Sequence, residues 1–510
     1  MSDHTIAAPS VAGALAQRLR AAAPILVPTA VPQPDADPAR DASILLELIV
    51  TAVRDNLSHE RMWLLLVVVS GSYPTGEQVR DGVRHFELSD HTGSMVWLLD
   101  ESLERAREIG DVDRDINIVS GCVIVDVDHT ARHDLHTGIQ QVIRNTIPHW
   151  VGDHEIVLAA WTGKGGALRG ITPVERGRVV DWYGSPATEV RVSDDEDSDV
   201  VPLIVPWRSV IVLPDVSMPE VVEELAGLAR WTANRVVTIG YDCIPAVSAD
   251  MIPVGGSNRF IRYLSAVKYM DRVVAISASA AVEFQGYVDT LPTQGLIGPV
   301  VVECALPAER GPNRPPAASA RTGPSIVLAV GSFEPRKNHL ALLYAAESLW
   351  REGLEFELDL IGGMGWGTDV PKLVEDLQRS GRVISMRYRV SNGALQEAYA
   401  RARFTVFASL HEGYGLPVAE SVAAGVPSIT ADFGSTAEIA RAGGVVTIDP
   451  RDDDALIAAM RSLLTDDERL DLLRSEILAR PSRSWADYAG ELWQYGVAPE
   501  LAVLTKEQTA

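Results

Sequence analysis

Apolar positions along this chain follow two periods that alternate. Short apolar runs rich in β-branched residues predict buried strands, and apolar positions at three- and four-residue spacing predict amphipathic helices. In the second half, strands are expected at 326–330, 357–361, 383–386, 404–408, 426–430 and 444–448. Helices are expected between and after them, at 339–352, 369–379, 393–402, 416–424, 435–441 and 453–464. The first half starts the same alternation at Cys122–Val127, with further strands at 155–161, 209–213, 235–239, 272–276 and 300–302. Helical spacing opens at His136-Thr137-Gly138-Ile139 and runs to about Ile147, and recurs over 218–230 and 256–270. Strand, glycine-bearing loop and helix, repeated twice over, predict two doubly wound α/β domains facing a cleft.

The flanking segments break this rhythm. Residues 1–40 are rich in Ala and Pro and are expected to be a flexible tail or linker, with at most one short helix before the Pro-rich stretch 31–38. Residues 41–118 combine helical spacing at 41–57, 77–86 and 98–109 with a continuous apolar run, Trp63–Val69, expected to be a strand. They predict an appended α/β module that acts as a structural cap or a dimerisation surface. The first Rossmann-like domain is then placed at 119–308, a Pro-, Ala- and Arg-rich linker at 309–324 and the second domain at 325–480. A helix at 481–497 is expected to return to the first domain.

Composition narrows the function classes. With 45 Lys and Arg against 69 Asp and Glu, the net charge of −24 argues against nucleic acid as a partner and against more than weak peripheral contact with anionic lipid. Cys122, Cys243 and Cys304 have no metal-ligand spacing, so a reducing cytoplasm is expected, with neither disulfide framework nor metal site. No apolar run approaches the ~20 residues of a membrane span, and no secretory signal is expected at the N-terminus. The acidic run Ser193–Asp199 has neither the spacing nor the glycine of a calcium loop.

The chemistry concentrates in Ser409–Glu420, S-L-H-E-G-Y-G-L-P-V-A-E, between a strand and a helix. Glycines let a ligand approach the backbone, Pro417 suits a first helical turn, and a helix N-terminus favours anions. No G-x-G-x-x-G or P-loop is present, so the dinucleotide and P-loop readings are weak. Glu412 and Glu420 invite a hydrolase, but eight residues of helix would separate their backbones by ~12 Å, beyond the usual carboxyl pair. They suit two grips on one long ligand. Arg336 and Lys337, after the strand 326–330, offer cations to a diphosphate opposite that helix start.

These segments resemble the two donor-site motifs of retaining glycosyltransferases of family 4, which have the GT-B fold, and particularly their mannosyltransferase-like branch. The resemblance rests on Val330–Asn338, on Glu412 and Glu420 eight positions apart, on Ala424-Gly425-Val426-Pro427 and on Glu438. It extends to Asp126 with His136-Thr137-Gly138-Ile139, to Ile239–Pro245, to Ser277-Ala278-Ser279 and to Ser484-Trp485-Ala486. It covers roughly residues 120–497.

The resemblance implies that Arg336 and Lys337 contact donor phosphates, Glu420 the ribose and Glu412 the transferred sugar. Gly331, Ser332, Gly413, Tyr414, Gly415 and Leu416 would complete the donor site, and Thr137 and Gly138 the loop shared by donor and acceptor. Asp242 either contributes to catalysis or caps a turn. Ser332 replaces an arginine and Tyr241 a histidine of many relatives, and His411 is expected exposed beside the site. The implied co-substrate is a nucleotide-diphosphate sugar, best matched by GDP-mannose, with a glycan or lipid-linked acceptor and no cofactor or metal. The alternatives are a UDP- or dTDP-sugar donor and a silent binding scaffold. A homo-oligomer through residues 41–118 and a position at the inner face of the cell membrane are compatible with this reading.

Overall fold

The computed structural model describes residues 10–134, 137–182, 201–309, 324–366 and 369–509. Among these residues, nine strands form the first sheet: β1 (Ile116–Ser120), β2 (Val123–Asp126), β3 (Ile156–Trp161), β4 (Leu168–Gly170), β5 (Leu203–Trp207), β6 (Val210–Leu213), β7 (Arg235–Gly240), β8 (Arg272–Ala275) and β9 (Val300–Glu303). Their spatial order is β1-β5-β4-β3-β2-β6-β7-β8-β9. Every neighbouring pair is parallel except those of β4 with β3 and β5. The second sheet holds β10 (Ser325–Val330), β11 (Phe356–Gly362), β12 (Ile384–Tyr388), β13 (Phe404–Phe407), β14 (Ser428–Ala431) and β15 (Val445–Ile448). It is parallel throughout in the order β12-β11-β10-β13-β14-β15. The order in which strands are added reverses between β10 and β13, so the loops leaving these two parallel strands open a crevice at a topological switch point, where doubly wound folds take ligands.

All six expected strands of the second domain and all six expected after Cys122 are present, with ends shifted by a residue or two. The expected 481–497 helix is longer. Trp485–Leu492 runs through a π-helical stretch, Trp493–Val497, into Ala498–Thr509. It does return to the first domain. Trp150 Nε1 donates to Ala489 O at 2.9 Å, and Glu500 pairs with Arg235 at 2.8 Å and Arg272 at 3.0 Å.

The N-terminal expectations need correction. Among the described residues, five helices precede the first strand: α1 (Val11–Leu26), α2 (Pro38–Asp55), α3 (His59–Ser70), α4 (Gly76–Leu88) and α5 (His91–Glu108). The expected strand Trp63–Val69 lies inside α3, whose residues from Met62 to Ser70 are all buried. A helix packed on every side is apolar on every side, so its sequence loses helical periodicity and imitates a buried strand. Ser58 caps it, accepting from Arg61 N, and Gly71 at φ 70° ends it.

The short helix allowed before the Pro-rich stretch is α1, but it is packed into the core and is no part of a loose tail. Ser10 caps α1, and the buried Arg18 donates to Val68 O at 2.8 Å, Val112 O at 2.5 Å and Arg114 O at 3.0 Å. The 41–118 segment is therefore not an α/β module. It is a helical layer whose apolar residues share one core with β5, β6 and the helix Val222–Trp231, and its last residues belong to β1. Residues 1–9, His136, the acidic run Ser193–Asp199 and linker positions 310–323 lie outside the described residues.

Candidate functional site

Two loops of the second sheet carry the charged groups. After β10 the chain turns through Gly331-Ser332-Phe333-Glu334 into a 3-10 turn, Pro335–Lys337, that presents Arg336 and Lys337. After β13, Ser409–Gly415 leads into the helix Leu416–Ala423, with Pro417 in its first turn. The loops meet at Glu412. Its Oε1 lies 2.7 Å from Lys337 Nζ, 2.9 Å from Arg336 Nη1 and 2.5 Å from Ser409 Oγ, which donates to it. Burial pushes the Glu412 carboxyl up, but Lys337 and Arg336 outweigh it and hold Glu412 below the usual carboxylate range. Burial lowers Arg336, yet Glu412, Glu334 and Asp242 raise it on balance, so the guanidinium stays charged.

Ser332 has a local partner. Its Oγ donates to Glu334 Oε1 at 2.5 Å, and Glu334 Oε2 lies 3.1 Å from Arg336 Nη2, so the loop aims its own arginine. Arg336 also donates to His411 O at 3.0 Å. The Lys337 ammonium sits 4.9 Å from the centre of the Phe407 ring. Gly415 takes φ 101°, and a Cβ there would lie 2.6 Å from Thr436 Cγ2, so the entry to the helix requires glycine.

The first domain forms the opposite wall. Gly413 lies so close to the loop after β7 that a Cβ would come within 2.3 Å of Tyr241 O and 3.0 Å of Asp242 Oδ2. Asp242 does cap a turn, accepting from Ile244 N at 3.1 Å, while also facing Arg336. Burial raises its pKa to about 6, with Arg336 pulling down and Glu283 and Glu412 pushing up. Tyr241 belongs to the core: it is buried, and its hydroxyl donates to Pro214 O at 2.8 Å. The Tyr414 hydroxyl is also engaged, donating to Leu306 O at 2.6 Å, which leaves the Tyr414 backbone for a ligand.

Glu420 stands one helical turn inside. Its Oε2 accepts from Tyr399 OH at 2.9 Å and its Oε1 from Gln141 Nε2 of the first domain at 3.4 Å. Burial raises Glu420, with the Tyr399 and Gln141 hydrogen bonds opposing. Gly138 begins the helix Gly138–Asp153 opposite Leu416, where a Cβ would sit 3.2 Å from Leu416 Cδ1. Thr137 caps that helix with Gln140. Asp126 accepts from Asp128 N at 3.0 Å and Trp161 Nε1 at 2.8 Å, bonds that lock its own loop.

The structure thus gathers Arg336, Lys337, Glu412, Gly413 and Asp242 at one point, with Glu420, Leu416, Gly138 and Thr137 along the same cleft. It adds groups that had no separate signal in the sequence: Glu334, Ser409, Gln141, Tyr399 and Glu283. Glu438 caps the first-domain helix Ala278–Val288, accepting from Ala278 N at 3.0 Å and Ser279 N at 2.8 Å. His411 is not simply exposed. It bridges the domains, with Nε2 2.5 Å from Glu283 Oε1 and Nδ1 2.7 Å from Ser248 Oγ.

Residues 313–477 match the family profile described as Glycosyl transferases group 1. That match spans the whole second sheet and both loops that meet at Glu412. The chain is 28% identical over 339 residues to the serotype-specific mannosyltransferase WbdA of Escherichia coli, covering 62% of this chain and 38% of WbdA. It is 37% identical over 161 residues to the O-antigen chain mannosyltransferase B of Escherichia coli, covering 31% of this chain and 42% of that protein. The chain spans less than half the length of these curated relatives. Among solved structures, sucrose-phosphate synthase from Thermosynechococcus elongatus superposes with a TM-score of 0.50 at 14% identity, over 73% of this chain and 97% of its own. The shared feature at that identity is the fold. Two Rossmann-like domains across a cleft, with a C-terminal helix returning to the first, make it GT-B.

Proposed function

We propose that this chain is a retaining hexosyltransferase that moves mannose from GDP-mannose to a glycan or lipid-linked acceptor in polysaccharide synthesis. The observation that carries the reading is the pair Arg336 and Lys337 converging on one carboxylate, Glu412, in a cleft beside a helix start. Glu412 and Glu334 hold the two cations at the place where a diphosphate would leave, and the N–H groups opening the helix Leu416–Ala423 add partial positive charge there. The matching mannosyltransferases support the choice of sugar.

In this reading Glu420 takes the ribose hydroxyls and Glu412 the sugar hydroxyls. The bond between the anomeric carbon and the diphosphate oxygen breaks with its electron pair on the leaving oxygen. The acceptor oxygen bonds to the anomeric carbon on the same face, and its proton passes to the departing diphosphate. The two side-chain cations and the helix start stabilise the leaving group, so the reaction runs without a metal. Peripheral contact at the cytoplasmic side would reach a lipid-linked acceptor. Separately, no helix among the described residues is long and apolar enough to cross a membrane.

The test is release of nucleotide diphosphate from GDP-mannose, UDP-sugars and dTDP-sugars, with and without mannosylated acceptors, in the wild type and Glu412→Ala. Fastest release from GDP-mannose, abolished in the variant, is expected. Equal rates in wild type and variant with every donor would make the chain a silent scaffold. Thermal shifts with GDP, UDP and dTDP identify the nucleotide independently of turnover.

A further inference from the structure

The loop bearing Glu412 and the loop bearing Asp242 belong to different domains, and one hydrogen-bonded chain joins them. Cys243 N, next to Asp242, donates to Glu283 Oε2 at 2.6 Å. Glu283 Oε1 lies 2.5 Å from Nε2 of His411, the neighbour of Glu412. His411 Nδ1 meets Ser248 Oγ at 2.7 Å, and its carbonyl accepts from Arg336 at 3.0 Å. We propose that Glu283, His411 and Ser248 form a cross-domain clasp that positions the two reacting walls, setting Glu412 and Arg336 against Asp242. The proposal rests on the glycosyl-transfer reading and adds positioning residues to it.

One imidazole holds two first-domain side chains while its own carbonyl holds the phosphate-binding arginine. A shift of the first domain is therefore transmitted to the cations. The groups facing the imidazole are Glu283 from the helix Ala278–Val288, Asp242 from the loop after β7, Glu412 from its own loop and Arg336 from the turn Pro335–Lys337. The hydrogen bond to Glu283 raises the His411 pKa against the effect of burial, and the charges of Glu283, Asp242 and Glu412 raise it further. The imidazolium form, donating from both nitrogens, closes the clasp. A raised pKa means that this contribution is complete below about pH 6.5 and is lost as pH rises through the raised value.

The experiment compares His411→Ala, Glu283→Ala, the double variant and His411→Gln. Each alanine variant is expected to lower kcat for nucleotide release about 10- to 100-fold with the donor KM nearly unchanged, as for misplaced reacting groups. The double variant should be no worse than the worse single one, because both break the same chain. His411→Gln keeps one amide donor toward Glu283, so it should recover part of kcat and lose the alkaline decline of the wild-type pH profile. Additive losses, or an alkaline limb retained in His411→Gln, would overturn the clasp. Hydrogen exchange on the ligand-free protein reads the clasp without turnover. Each alanine variant should speed exchange in both 241–248 and 409–416, and acceleration confined to the mutated segment would count against it. Loss of all turnover in the wild type alongside coupled exchange would instead reject the transferase reading.

Discussion

The helical layer on the first sheet and the rim of the cleft both enclose arginine, and they satisfy it differently. Arg18 is buried among backbone carbonyls near the end of α3 and in the loop at 112–114, neutral acceptors that no ligand could displace. Burial lowers its pKa to about 10, with Asp115 and Asp113 opposing. Arg336 and Lys337 share one carboxylate and lie at a switch point between strands. The first arrangement is closed and holds the fold. The second holds its cations by the charged side chains of Glu412 and Glu334 beside a cleft, where an anionic ligand can compete for them.

The most direct way to break this contrast is Lys337→Ala. Glu412 keeps Arg336 at 2.9 Å and Ser409 at 2.5 Å, so no buried charge is orphaned and folding should survive. One of two cations aimed at the leaving group is lost. Nucleotide release should fall about 10²- to 10³-fold, the usual effect of removing one preorganised stabilising group. A fall below tenfold at an unchanged melting temperature would mean that the ammonium serves Glu412 rather than a phosphate.

Arg18→Met tests the other side. The substitution keeps much of the side-chain volume and removes the Arg18 hydrogen bonds to Val68 O and Val112 O. A loss of about 2–3 kcal/mol is expected from these acceptors, lowering Tm by roughly 3–5 °C for a domain of this size. Activity per folded molecule should not change. An unaltered Tm would show that α1 is dispensable to the core, as a loose tail would be.

The same contrast explains what the sequence could reveal. In the second domain every strand is followed by an amphipathic helix, so periodicity alone locates β10 to β15, and the charged loops fall at strand ends where a ligand is expected. The helical layer resists this method. Met62–Ser70 is apolar all round because α3 is buried all round. β4 is only three residues long, and its central Arg169 is buried against Glu175 at 2.7 Å, which no apolar pattern signals. β5 contains Pro206, which removes a ladder donor and disguises the strand. At the site, Arg336, Lys337, Glu412 and Glu420 were legible from spacing and resemblance. Glu283 and Gln141 were not, because each meets its partner across more than a hundred residues through tertiary packing alone.

The smallest expected effect lies where the two domains touch, at Asp242→Asn, and its sign can be derived. Burial lifts the Asp242 pKa to about 6, above the roughly 3.9 of an unfolded aspartate. The folded protein therefore holds this proton more tightly than the unfolded chain. The stabilisation from neutral Asp242 is complete below about pH 3.9 and disappears as pH rises through about 6, where the anion must be kept beside Glu283 and Glu412. Asparagine has nearly the same shape and stays neutral. The Tm of Asp242→Asn relative to wild type should therefore rise between pH 4 and pH 7, by the equivalent of roughly 2 kcal/mol. If the ionised carboxylate assists transfer, wild-type nucleotide release should climb through the same interval while that of the variant stays low and flat. A Tm difference independent of pH would mean that Arg336 and the Ile244 N–H keep Asp242 ionised throughout, so that it serves as a fixed counter-charge across the cleft instead of a titrating group.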